Sequence, residues 1–452
     1  MEVNNPFDHK IIGKIELIDS TQVDGIVQRA NLSMKALELM SSGDRSAILK
    51  AIVFGIEQRF DELVETIIKE SGKPRKYATA EVYRAIQTFT IASEETKRLP
   101  HELIDLDSTE KGRGLKGEVI YKPRGVVFGI SPFNFPLNLA VHKIAPAIAT
   151  GCAMILKPSS KTPLTMELIS EIISDTELPE NAFQLVHCTR EVGDKFVKHN
   201  DIHLLSFTGS PEVGWSMKSK AGKKEVVLEL GGNAAAIVCK DADLELALKE
   251  LTIGGFAYSG QVCIHTQRIY VHNSVFDSFV NKYVEAVNDL KIGNPLDADT
   301  EFGVMIDESN AKRVEEWVGE ALANGADLIA GHKRDGSLYS PTILTKVPKG
   351  EKVRDEEVFG PVVVIESFDN FNEAINEVND CRWGLQAAIF TDSIKWRDEA
   401  FYNLDVGGVI HNKSTTFRVD DMPYGGIKDS GFGREGIRYA MKDYLEARLL
   451  VR

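Results

Sequence analysis

Residues 124–158 read RGVVFGISPFNFPLNLAVHKIAPAIATGCAMILKP, and this stretch decides the fold. A short apolar run, VVFGIS, leads into a helical stretch over roughly 136–149, and CAMILKP then returns as a second apolar run. Two buried strands flanking a helix make a βαβ unit, and βαβ units build a parallel sheet. The window Leu137–Leu156 is the most apolar of the chain, yet it holds Asn138, His142, Lys143 and Pro146. A membrane span needs about 20 predominantly apolar residues, so the window reads as a buried helix running into a strand.

The same alternation continues outward. TMELISEIISD, EVGDKFVKH and PEVGWSMKSKA are helical in period, with FQLVH and HLLSFTGS as strands between them. A second α/β series starts near Ala234 and includes QRIYVHN, PVVVIESF and AAIFT as strands. Upstream, residues 21–110 show apolar residues at spacings of three and four, the amphipathic helical period. At 452 residues the chain is too long for one ordinary domain. It reads as two α/β domains meeting near 230–265, wrapped by N-terminal helices. The extended segments 117–122 and 446–451 are expected to pair as a small third element.

The 53 Lys and Arg face 67 Asp and Glu, a net charge of −14. That field repels phosphate backbones and anionic membranes, so neither nucleic acid nor membrane is an expected partner. The five cysteines, at 152, 188, 239, 263 and 381, are widely spaced with no C-x-x-C pair. The pattern suits a reducing compartment and argues against a disulfide framework or a zinc site. No basic stretch followed by an apolar one opens the chain, so a cytoplasmic protein is expected.

Five places could carry chemistry. Gly431-Phe432-Gly433-Arg434-Glu435-Gly436 matches G-x-G-x-x-G, but only 16 residues follow it and no strand precedes it. A dinucleotide fingerprint needs both a preceding strand and a following βα unit, so the motif reads as a glycine-rich loop capping the last helix. A better anion site is FTGSPEVG (207–214), where Gly209 and Ser210 sit at a strand-to-helix turn and Pro211 suits the first helical position. Cys263 follows the small-residue run SGQV and precedes a strand, which would put its thiol in a loop between domains. A lone cysteine is more often a buried apolar residue, as the other four read; a nucleophile needs an activator and an oxyanion donor. Glu229 ends an apolar strand before Gly231-Gly232, where burial would raise its pKa and suit it to act as a base. The alternative is a solvated strand-end carboxylate. Asn134, in SPFNFP, can donate to an oxyanion from the carboxyl end of a strand, or simply cap the next helix.

Taken together, SPFNFPLN (131–138), KPSSKTPLT (157–165), FTGSPEVG (207–214), LELGG (228–232), GQVCI (260–264), EEVFGPV (356–362) and MPYGGIKDSGFGREG (422–436) resemble the NAD(P)-dependent aldehyde dehydrogenase superfamily, from about residue 20 to the end. Glu229 and Cys263 stand 34 residues apart, as in that family. The resemblance implies an α/β fold with a Rossmann-like cofactor domain, an α/β catalytic domain and a small β extension that joins protomers into a homodimer or homotetramer. The implied boundaries are N-terminal helices of the cofactor domain over 1–116, a first oligomerisation strand over 117–125, and the Rossmann-like unit over 126–230. The catalytic domain follows over 231–425, and a C-terminal return with a second oligomerisation strand over 426–452. It further implies that Cys263 attacks the aldehyde, that Asn134 and the Cys263 N–H hold the oxyanion, and that Glu229 activates water to release an acid. Ser131, Pro132, Phe133, Lys157, Ser160, Gly209, Ser210, Gly231, Glu357 and Phe359 are the implied cofactor contacts, and no metal is implied.

One departure bears on the cofactor. NAD-preferring members often carry a glutamate three residues after the Lys157 position, where this chain has Ser160. A carboxylate would repel a 2′-phosphate, whereas Ser160 with Lys157 near and Lys161 adjacent can tolerate one, so NADP⁺ is expected to be accepted beside NAD⁺. Asn233 stands where many members have lysine, and the N-terminus lacks some of the family's usual leading residues. The segments around Asn134 and Arg418 look most like the branch of lactaldehyde and non-phosphorylating glyceraldehyde-3-phosphate dehydrogenases, which take small hydroxylated or anionic aldehydes. Arg418 reads as a clamp for an anionic substrate, or as a partner of Asp420 or Asp421. His265 is placed in the same funnel, while His142 reads as a packing residue. Two other readings stay open: a CoA-acylating semialdehyde dehydrogenase, which Glu229 disfavours, and a catalytically silent structural protein of this fold, which the Cys263, Glu229 and Asn134 set disfavours.

Overall fold

The run VVFGIS becomes the strand Val127–Ile130, with all four residues buried, as a parallel strand covered on both faces requires. The computed structural model describes residues 1–452. Val127–Ile130 lies at the middle of a six-stranded sheet, parallel to Met154–Lys157 on one side and Leu204–Thr208 on the other. Phe183–Leu185 extends the first side and Glu225–Glu229 the second. Strand order therefore reverses at the central pair, and the loops leaving Ile130 and Thr208 diverge to open a crevice, the usual ligand position in such sheets.

The helix between the first two strands is Asn138–Thr150, buried along its whole length. The helices Ser42–Gln58 and Arg75–Glu95 cover it, with Phe60–Ser71 packed behind Arg75–Glu95, through the largest apolar cluster of the molecule. No helix is long and apolar enough to cross a membrane. The second sheet has seven strands, in the order Asp327–Ala330, Thr342–Thr345, Val362–Phe368, Thr266–His272, Ala234–Val238, Gln386–Phe390 and Gly408–His411. All its pairings are parallel except that of the first strand.

Two elements differ from the sequence reading. The small sheet pairs Lys116–Pro123 with Leu445–Val451, antiparallel, but adds a third strand, His101–Asp105, inside the stretch read as helical. That strand buries none of its five residues, so it leaves no alternation of apolar and polar positions to read. The glycine motif near the C-terminus is also more than a cap. Gly436 does precede the helix Ile437–Asp443, but Gly431–Phe432 adds an antiparallel edge strand to the first sheet, opposite Glu229 and Leu228. A Cβ on Gly431 would run into the Leu228 carbonyl, so only glycine allows that approach.

Candidate active site

Three chain segments converge at the crevice. After Ile130 the chain turns through Ser131, Pro132 and Phe133 to Asn134, which is 3% exposed. Asn134 Nδ2 donates to the Gln261 carbonyl at 3.0 Å, which ties the first domain to the loop carrying the cysteine. That loop leaves the helix Leu244–Phe256 through Tyr258, Ser259 and Gly260, all with left-handed φ, at 48°, 54° and 68°. Its conformation is held from outside. The Gln261 side chain accepts from Ile306 N at 2.8 Å, and Ser259 Oγ donates to the Gly303 carbonyl at 2.7 Å. A Cβ on Gly260 would strike the Gly360 carbonyl, and one on Gly232 would meet the Cys263 carbonyl at 2.6 Å. The glycines are thus what allows the loop to sit this close to its neighbours.

Glu229 ends its strand beneath the same cavity, and both carboxylate oxygens are buried without a hydrogen-bond partner. Burial, with the nearby Glu435 carboxylate, pushes its pKa well above the ordinary value, against the opposing pull of Arg418, Lys143 and Arg434. An unpartnered carboxyl group held neutral costs far less than a buried bare carboxylate, and it keeps a proton-accepting group in reserve. Burial also raises the Cys263 thiol to about 12, partly relieved by a hydrogen bond with Tyr424.

Two cavities meet at Cys263. The larger, about 550 Å³, is lined by Pro132, Phe133, Asn134, Gly209, Ser210 and Glu357 among others. Its floor includes the start of the helix Pro211–Lys220, where Ser210 makes no side-chain cap and backbone N–H groups are left for an anion. Glu357 is half-buried, desolvation by its surroundings raises its pKa to about 8, and it accepts from Gly232 N at 3.0 Å. A Cβ on Gly231 would collide with that carboxyl group. Phe359, at φ 44°, meets Phe133 edge-on across the cavity at 5.8 Å. These features fit an elongated phosphate-bearing cofactor, with the anion cradle at Gly209 and Ser210 and a carboxyl group at the other end.

Lys157 and Ser160 lie outside that lining. Lys157 is partly buried, and its ammonium reaches only the Pro158 carbonyl, at 3.4 Å. Ser160 and Lys161 are exposed and face a separate polar cavity formed with the N-terminal residues. Lys161 is paired with Asp307 at 3.0 Å.

The smaller cavity, about 230 Å³, reaches Cys263 from the opposite side and is lined by Arg84, Phe135, Asn138, Val262, Arg418 and Tyr424 among others. Arg418 does not pair with Asp420 or Asp421. It binds Glu435 at 2.9 Å and lies 3.8 Å over the Tyr424 ring, and its Nε is buried without a partner. Asp420 is taken instead by Arg84 at 2.7 Å and by His142 and Asn138 at 2.8 and 3.2 Å. His142 is therefore a packing residue, buried and with its pKa lowered chiefly by burial. His265 is not in the funnel. It is 4% exposed, its ring bonds the Gly255 carbonyl at 2.8 Å, and burial lowers it to about 4.

Several lining residues escape a reading of the sequence, Tyr424 and four others among them. Arg84, Arg313 and Trp317 come from helices and Trp383 from a two-residue strand, all with ordinary local patterns. Tyr424 lies inside the quoted C-terminal motif, but nothing local marks its hydroxyl, which lies 3.0 Å from Cys263 Sγ.

Residues 1–450 match the model of the aldehyde dehydrogenase family. The chain is 40% identical to a 3-sulfolactaldehyde dehydrogenase of Priestia megaterium, over all of this chain and 94% of the relative. Among solved structures, aldehyde dehydrogenase 21 from Physcomitrella patens, in complex with the reaction product succinate, superposes with a TM-score of 0.99 at 44% identity, covering 100% of this chain and 94% of that one. Glyceraldehyde-3-phosphate dehydrogenase from Methanocaldococcus jannaschii, complexed with NADP, gives 0.95 at 37% identity, covering 100% and 98%. The match and these relatives mark the chain as an oxidoreductase. The chain belongs to the aldehyde dehydrogenase family.

Proposed function

We propose that this enzyme oxidises a small anionic or hydroxylated aldehyde to its carboxylic acid, with NAD(P)⁺ as oxidant and Cys263 as nucleophile. The observation that carries the reading is Arg418. It is a buried arginine on a small funnel that ends at the thiol, and it keeps one donor, Nε, without a partner. An unpaired buried donor is costly unless a ligand satisfies it, and an anionic tail is the ligand that would satisfy it best. Relatives acting on sulfolactaldehyde, or carrying succinate, agree with that chemistry.

In this reading the Cys263 sulfur attacks the aldehyde carbon, and Asn134 Nδ2 turns from the Gln261 carbonyl towards the new oxyanion, beside the Cys263 N–H. The larger cavity would hold the dinucleotide, with Gly209 and Ser210 at its phosphates and Glu357 and Phe359 at the opposite end. The cofactor held there would supply the hydride acceptor that turns the thiohemiacetal into the thioester. Glu229 then takes a proton from water, which attacks the thioester carbon and releases the acid. Ser160 and Lys157 set no carboxylate against a 2′-phosphate, so NADP⁺ is expected to serve beside NAD⁺.

The test is a panel of anionic and neutral aldehydes: glyceraldehyde 3-phosphate, succinic semialdehyde, lactaldehyde and glycolaldehyde. Each is run with NAD⁺ and with NADP⁺, with and without CoA. Arg418→Gln is expected to raise KM for the anionic substrates at least tenfold more than for the neutral ones; equal changes would reject the clamp. A hundredfold preference for NAD⁺, or a requirement for CoA, would overturn the cofactor or product assignment.

A further inference from the structure

We propose that the Tyr424 hydroxyl is a catalytic donor to the Cys263 sulfur, holding the thiolate in line with the funnel while it attacks. The inference rests on the reading of Cys263 as the nucleophile and goes beyond it, by assigning the group that makes a half-buried sulfur between two cavities reactive.

The geometry is closed on every side. Tyr424 Oη lies 3.0 Å from Cys263 Sγ. The Tyr424 backbone is paired both ways with Glu435, its N–H donating at 3.0 Å and its carbonyl accepting at 2.6 Å. Glu435 in turn binds Arg418, whose guanidinium lies 3.8 Å over the Tyr424 ring. Ring, guanidinium and carboxylate thus form one frame that fixes where the hydroxyl points. The frame is also electronically suited to its task. A cation on the ring face draws electron density from the phenol and strengthens its O–H as a donor.

The direction of the hydrogen bond follows from charge. With a neutral thiol either atom can donate, but a thiolate has no proton, so only the phenol can. Before the attack the thiol proton is released to solvent through the cavities that meet at Cys263. A sulfur electron pair forms the C–S bond, and the C=O pair moves onto oxygen beside Asn134. The Tyr424 O–H stabilises the sulfur anion until that bond is made. The charged or ionisable groups that bear on the sulfur are Glu357 and Glu229, which disfavour the anion, and Arg418, which favours it. Burial opposes the anion most strongly, so the donor matters more here than it would on an exposed cysteine. Loss of a hydrogen bond to a charged group typically shifts such an equilibrium by about tenfold or more.

The test uses the full-length enzyme and iodoacetamide, with alkylation of the Cys263 peptide followed by mass spectrometry across pH. Tyr424→Phe keeps the ring and removes the donor. Its alkylation midpoint is expected to rise by about one pH unit, which makes labelling at neutral pH about tenfold slower, and the ascending limb of kcat/KM for the best aldehyde should move to higher pH in parallel. An unchanged midpoint, with only KM altered, would make Tyr424 a wall of the funnel and overturn the proposal. Should that variant fail to fold, 3-fluorotyrosine placed at 424 strengthens the donor and should move the midpoint down; no movement would again overturn it. Failure of the underlying reading would be distinct: Cys263→Ala would then keep its turnover, whatever position 424 carries.

Discussion

At the scale of single residues, the site is governed by what burial does to charge. Glu229 has no hydrogen-bond partner, and burial together with Glu435 pushes its pKa well above the ordinary carboxylate value. Glu435 itself, although buried, is held down at about 2 by Lys143, Arg418 and His142. Two carboxyl groups in one pocket therefore divide into a permanent anion and a reserve base, separated by their partners rather than by their chemistry. A base with a raised pKa is protonated below that pKa and works only as pH climbs through it. Thioester hydrolysis is therefore expected to accelerate as pH rises through that raised pKa, above the ordinary carboxylate range. Glu229→Gln should lose that dependence and slow steady-state turnover by about 10²–10⁴-fold. A stopped-flow burst of reduced cofactor, near one equivalent per site, should survive, because acylation precedes the hydrolysis; a variant with normal steady-state turnover would reject the role. Glu229 and Asn134 were legible as candidates because each stands at or just past the end of an apolar strand, and Cys263 because it follows a small-residue turn. The partner of Arg418 was not, since Asp420 and Asp421 are its neighbours in sequence while Glu435 reaches it through the folded-back glycine motif.

At the scale of elements, the decisive piece is the turn through Tyr258, Ser259 and Gly260. Two non-glycine residues with left-handed φ in succession cost about 1–2 kcal/mol each. The hydrogen bonds of Ser259 and Gln261 to the segment Gly303–Ile306 hold them there. Gly260 adds a second constraint, because a Cβ would meet the Gly360 carbonyl as well as the unfavourable φ of 68°. Gly260→Ala is therefore expected to displace the Cys263 loop, lowering Tm by several degrees and turnover by more than tenfold. Calorimetry and the aldehyde assay read the two effects, and full activity at an unchanged Tm would show that the loop tolerates the side chain. Most strands of both sheets could be read because parallel strands buried on both faces are unbroken apolar runs. The exposed strand His101–Asp105 and the two-residue edge strand at Gly431 could not, as neither carries a burial pattern.

At the scale of the whole molecule, one part lacks a core of its own. The three-stranded sheet leaves Leu103, Leu449, Leu450 and Val451 exposed at 68%, 53%, 55% and 48%. Beyond Leu445, every residue of the strand Leu445–Val451 is exposed, so the chain's own elements cover neither of its faces there. A small sheet in water needs an apolar face packed against something, and an uncovered apolar strand at a sheet edge invites pairing. Leu445–Val451 is such an edge, and Gly408–His411 is an open edge of the seven-stranded sheet. A second copy of the chain can offer one edge to the other by a two-fold operation and bury both at once. The net charge of −14 on each protomer opposes that association, and only a sizeable apolar contact would overcome it. The double substitution Leu449→Glu with Val451→Glu adds charge to one face of the strand without touching either cavity. Light scattering is expected to give an oligomer for the parent chain and a 50.0 kDa protomer for the variant, with a lower Tm. An oligomer of unchanged mass in the variant would place the interface elsewhere, and a monomeric parent would mean that the sheet stands uncovered in solution.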